Sequence, residues 1–250
     1  MSAFATIDAE RIKLSTTRSP LWSAVTVAVL SLGLAALQAS TAYGSVPPQK
    51  AALGVVVFGV PVLMILASMT VTGEYRSGLV NSTFMATPRR STVLISKAVV
   101  SAVFSGLYAA VMVIASVVVA KQVADPVAAS QLSLSTSGSW RLAGATALYA
   151  MLAAVLGVGV GALLRFAAGA VAVLLLWPLV AEPLLGNLPN AGAEIGPWLP
   201  FANVYRFLDV SWLYPSYDVP WGEWGSLAYF AVVSAVVFAA ALVVVNRRDA

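Results

Sequence analysis

The chain has 250 residues, of which 60% are hydrophobic and only 10% charged, with a net charge of +4 and a mean hydropathy of +0.90. Soluble domains carry roughly 25% charged residues, so these apolar side chains exceed what a water-facing surface can hide, and lipid is the solvent that suits them. The sequence contains neither cysteine nor histidine, which excludes disulfides, thiolate chemistry, histidine-based metal sites and the commonest general base.

A spanning helix needs about 20 mostly apolar residues. Six stretches meet that requirement, at about 21–41, 51–72, 92–120, 142–164, 166–185 and 225–246. Residues 1–250 therefore read as a single all-α integral membrane domain with six transmembrane helices. The first stretch is longer than the 7–15 residues of a signal-peptide core and reads as a span. The fourth and fifth are divided by little more than Arg165, which predicts a tight hairpin there. Pro61, Pro178 and Pro183 are expected to bend their spans.

Ahead of the first span, residues 2–18 place Phe4, Ile7, Arg11 and Leu14 at helical spacing, the pattern of an amphipathic helix lying on the membrane surface. The basic residues set the orientation. With the N-terminus inside, the cytoplasmic segments hold Arg11, Lys13, Arg18, Arg76, Arg89, Arg90, Lys97, Arg165, Arg247 and Arg248, against Lys50, Lys121, Arg141 and Arg206 outside. Both termini are thus expected in the cytoplasm. The scatter of these charges among apolar runs argues against nucleic acid as a partner.

Within the spans, chemistry is sparse. No lysine follows a glycine and no aspartate lies in a span, so a nucleotide-binding P-loop and an intramembrane aspartate pair are both excluded. An enzymatic role is not expected, nor is a metal or a catalytic residue. Ser68, Thr70 and Thr72 either line a substrate pathway or bond to their own helix backbone. Lys97, Arg165 and Glu182 sit at span ends. Glu182 comes nearest to a buried charge and joins Ser68, Thr70 and Thr72 as a candidate for the substrate pathway, although the plainer expectation is that it simply reaches the outer interface. Gly157 and Gly161 form a small-xxx-small pair suited to close helix packing. In the outer segment 186–224, nine aromatic residues fall between Trp198 and Trp224, which predicts short helices lying at or re-entering the interface before the last span.

The cytoplasmic loop 73–91 carries the most specific pattern. It opens with Gly73-Glu74-Tyr75-Arg76, passes Gly78 and a short apolar-polar stretch from Leu79 to Met85, and turns at Ala86-Thr87-Pro88-Arg89-Arg90 ahead of Lys97. The stretch before Pro88 is expected to form a short helix parallel to the membrane. A plainer alternative is a hairpin held by lipid phosphates on Arg89, Arg90 and Lys97.

Together with Glu10-Arg11-Ile12-Lys13-Leu14 and Thr17-Arg18-Ser19-Pro20-Leu21-Trp22, these motifs resemble the permease subunits of bacterial, especially actinobacterial, type-2 ABC transporters. The motifs are loose and cover mainly residues 10–22 and 73–97; the rest of the likeness is in topology. The resemblance implies a coupling helix after the second span, with Glu74, Tyr75, Arg76 and Gly78 at an ATPase contact and Pro88, Arg89 and Arg90 shaping the return to the membrane. It also implies two copies of an ABC ATPase that carry the ATP and Mg, a second permease chain, and a bacterial plasma membrane. Alternating access would then move a hydrophobic or amphipathic cargo, with this chain holding no cofactor of its own. An ATPase-independent secondary transporter or channel, and a non-transporting membrane anchor of a larger complex, are the competing readings.

Overall fold

The computed structural model describes residues 3–87, 89–134, 137–215 and 217–247, and these contain helices and no strand. A first helix, α1 (Ala3–Thr16), precedes six that are long and apolar enough to cross a membrane. These six are α2 (Arg18–Ser40), α3 (Val55–Ser77), α5 (Arg90–Val123), α6 (Ser137–Leu164), α7 (Ala167–Gly186) and α9 (Glu223–Arg247). Among the shorter helices of the connections are α4 (Leu79–Ala86), between α3 and α5, and α8 (Pro200–Phe207), between α7 and α9. The chain is a multi-pass membrane protein. All six expected spans are present, with ends displaced by a few residues.

α3 and α6 are the most enclosed spans. Their most apolar stretches are 72% and 56% buried, against 22% for both α2 and α9. They approach closely because α6 offers glycine where α3 offers backbone. A methyl group at Gly157 would collide with the Met64 carbonyl, and one at Gly161 would lie 2.8 Å from the Ser68 oxygen. Gly159, on the opposite face of α6, faces the Phe238 backbone of α9, which would lie 3.2 Å from a methyl group there. Gly157 and Gly161 both face α3 of the same chain.

Proline is accommodated by wider turns. Val60 donates its N–H to Val55, five residues back, just ahead of Pro61, and Glu182 does the same to Trp177 just ahead of Pro183. These π-turns widen the helix just ahead of each proline, whose nitrogen has no hydrogen to donate. The hairpin between α6 and α7 turns on Arg165, whose φ of 55° lies in the left-handed region.

Contacts sort the connections to two ends of the bundle. At one end Arg90 donates to the Val245 carbonyl of α9, and the Arg165 guanidinium lies 4.9 Å over the ring of Tyr75. At the other, Gln49 bonds to Asp209 and Arg141 pairs with Glu223. α1 and α4 belong to the first end and α8 to the second.

Candidate functional site

At the first end, four charged side chains from three helices meet. Lys97, near the start of α5, is only 4% exposed, and its ammonium donates to Glu10 of α1 and Glu74 of α3, each at 2.8 Å. Lys13, one turn beyond Glu10, donates to the same two carboxylates at 3.0 and 2.8 Å. Two cations thus alternate with two anions, so the charges cancel at a place where a lone buried charge would be costly. Burial works against the charge on Lys13, but the hydrogen bonds it donates to Glu74 and Glu10, with their negative charge, outweigh it and raise its pKa above the ordinary 10.5.

The geometry follows from local structure. Glu10 lies on the face of α1 that also buries Thr6, four residues earlier, so α1 is fastened by its polar side. The α3 helix does not stop near Thr72, as the apolar run predicts, but continues through Ser77 to Gly78, whose φ of 73° ends it. Glycine meets that requirement without a Cβ penalty. The extra turn carries Glu74 inward toward Lys97 while Arg76 stays exposed. α4 then runs outside the clamp as the expected short helix, leaving Leu79 57% and Met85 78% exposed.

The loop residues therefore separate into distinct environments. Glu74, for which the resemblance implies an ATPase contact, is largely buried in ion pairs. Lys97 likewise does not face lipid phosphate, because both carboxylates hold it inside. Tyr75 turns to Arg165, Arg90 to the carbonyl end of α9, and Arg76, Gly78 and Arg89 remain exposed. Pro88 lies outside the described residues.

Beside the clamp is a cavity of about 480 Å3, mostly apolar, walled by Leu66 and Met69 of α3 and Leu14 of α1, with Thr70, Lys13 and Arg76 also lining it. Ser68 and Thr72 do not face an open path. Both are fully enclosed, and they donate to the Ile65 and Ser68 carbonyls of their own helix. Thr70 is partly exposed and donates to Ala67.

A second buried centre lies at the other end. Glu182 does not reach the interface as expected; it is fully buried. Its carboxyl accepts the Trp177 indole N–H at 2.8 Å and the backbone N–H groups of Phe201 and Ala202 at 2.9 and 3.2 Å. Those amides open α8, so the carboxyl caps a helix that is otherwise pressed into the bundle by Phe201 against Tyr149 and Phe230. Asn203 ties the same segment down by donating to Pro197 and Leu199 and accepting from the Trp221 indole. The arrangement positions α8. Among the described residues no cluster of acidic side chains suited to a metal is formed.

No family model matches the chain, and no curated protein matches it.

The ion-paired clamp, like the Glu182 centre, is a feature that sequence reasoning missed. Its members are separated by as many as 87 positions, and one sequence carries no pairing signal over that distance. The hint available was that Glu74 and Lys97 each follow or begin an apolar span, where an unpaired charge needs a reason.

Proposed function

We propose that the chain is the membrane-spanning subunit of an ATP-driven transporter, energised by a separate ATPase that docks on α4. The observation that carries this reading is the bracing beneath α4. The two spans that α4 joins, α3 and α5, are tied to each other and to α1 through Lys97. A force applied to α4 would therefore move two spans together instead of being lost in a loose loop. Leu79 and Met85 supply exposed apolar contacts on the same short helix, a surface suited to a protein partner.

In this reading the end that bears α1 and α4 faces the cytoplasm of a bacterial cell and both termini lie there, in keeping with the excess of basic residues at that end. α1 lies along the inner surface, and α8 re-enters the outer half. ATP and Mg belong to two ATPase copies, and a second permease chain, identical or homologous, completes the pathway. The cargo is hydrophobic or amphipathic, in keeping with the mostly apolar walls of the cavity beside the clamp.

The test is gentle purification through a tag on this chain, followed by identification of the co-purifying subunits. An ATPase at one copy per permease chain is expected, lost in Leu79→Asp and Met85→Asp variants whose own thermal unfolding is unchanged. Recovery of the chain alone, with ion-driven flux in proteoliposomes, would overturn the proposal in favour of a secondary transporter or channel.

A further inference from the structure

A second cavity, of about 530 Å3, runs between α1, the start of α2 and α5. Its lining is almost wholly apolar. Ile7 and Leu14 come from α1, Leu21 and Ala24 from α2, and Val103 and Phe104 from α5. On α5 it extends from Val99 to Tyr108, nine residues of helix and hence about 14 Å. That is close to the depth of one leaflet, half of a hydrocarbon core about 30 Å thick. Its deep end is closed where the Tyr108 hydroxyl donates to the Ala24 carbonyl at 2.7 Å and the Phe104 and Tyr108 rings stack.

The shallow end is basic. Arg11 lines the groove, and Arg18, at the start of α2, is exposed with no ion pair among the described residues. Trp22, one turn further on, is 66% exposed, the placement expected of an indole at the headgroup level. Asp8 pairs with Arg11 at 3.1 Å, but both side chains are well exposed, so the pair is weak and the Arg11 guanidinium stays open to a further anion. α1 thus has a divided role: its polar face, with Glu10, enters the clamp, while Ile7, Arg11 and Leu14 line the groove.

We infer that this groove is a binding site for one anionic phospholipid of the leaflet in which α1 lies, an acyl chain filling the apolar slot and the phosphate meeting Arg11 and Arg18. Apolar length matched to a leaflet, closure at the deep end and positive charge at the headgroup level together select a bilayer lipid over a soluble ligand. The inference stands independently of the transport reading.

Native mass spectrometry of the full chain, delipidated in detergent and titrated with phosphatidylglycerol or phosphatidylcholine of identical acyl chains, tests it. One phosphatidylglycerol should be retained in preference, by roughly fivefold for each arginine engaged. An Arg11→Gln/Arg18→Gln double variant should bind both lipids alike. Val103→Trp, at a half-exposed position, should lose the retained lipid while its thermal unfolding stays that of the parent. Equal retention of the two lipids by the parent chain, or undiminished retention by a folded Val103→Trp variant, would overturn the site. A phosphatidylglycerol with a photoreactive group midway along its acyl chain serves as a readout that needs no substitution. It should label residues 99–108, and labelling spread evenly over α7 and α9 would count against the inference.

Discussion

Lys97 illustrates how one side chain can set the requirements for its neighbours. It is nearly inaccessible, and both carboxylates that face it approach to 2.8 Å. Replacing it with methionine leaves Glu10 and Glu74 facing one another with only Lys13 nearby, and loss of one partner of a buried pair costs about 3–5 kcal/mol. Lys97→Met should therefore lower thermal stability in detergent sharply. A triple variant with Glu10→Gln and Glu74→Gln added should recover most of that loss, because the unpaired charges are gone. If the single variant melts like the parent, the ion pairs contribute little to holding the three helices. Glu182 has the opposite surroundings, accepting from Trp177, Phe201 and Ala202 and facing no cation at hydrogen-bond distance among the described residues. Truncation to alanine strands those donors, at about 1–3 kcal/mol for each group left buried and unsatisfied. Glu182→Ala should accordingly be more destabilising than Glu182→Gln, which keeps one acceptor oxygen, and urea or thermal unfolding would rank the two.

At the scale of elements, the spans were legible because each is an apolar run of the right length, and that signal is local. Their ends were less so. α3 runs five residues past its predicted limit because Gly73, Glu74, Tyr75 and Arg76 continue the helix until Gly78 supplies a left-handed turn; polarity marks where lipid stops, not where a helix stops. The glycine pair of α6 was legible as a packing motif, but its partner was not, since spacing does not say which helix comes close. With the Met64 and Ser68 backbones now placed against it, a specific consequence follows. Gly161→Leu drives a branched side chain into the Ser68 carbonyl and must part α3 from α6, at a cost of about 1–3 kcal/mol or more. The same change at Gly144, where a Cβ would meet nothing, should be nearly silent. Equal melting temperatures for the two variants would mean that α3 and α6 can separate without penalty.

For the whole molecule, the two ends of the bundle differ in what the chain invests there. One end concentrates α1, the clamp, α4 and the end of α9; the other is closed by α8 and its aromatic packing. Both polar centres escaped the sequence for the same reason. Glu182 looks like a span-end charge until α8, some 20 residues later, folds back to place two amides on it. The membrane sidedness of these ends rests on the distribution of basic residues, and the absence of cysteine makes it directly measurable. Single cysteines at Tyr43 and Val127, both highly exposed and at the α8 end, and at Met85 on α4, 78% exposed, report from opposite sides. In intact cells a membrane-impermeant maleimide should label Tyr43→Cys and Val127→Cys, while Met85→Cys should react only after permeabilisation. The reverse pattern would place α4 outside, where no ATPase could reach it, and would remove the basis for coupling through that helix while leaving the six-helix bundle unchanged.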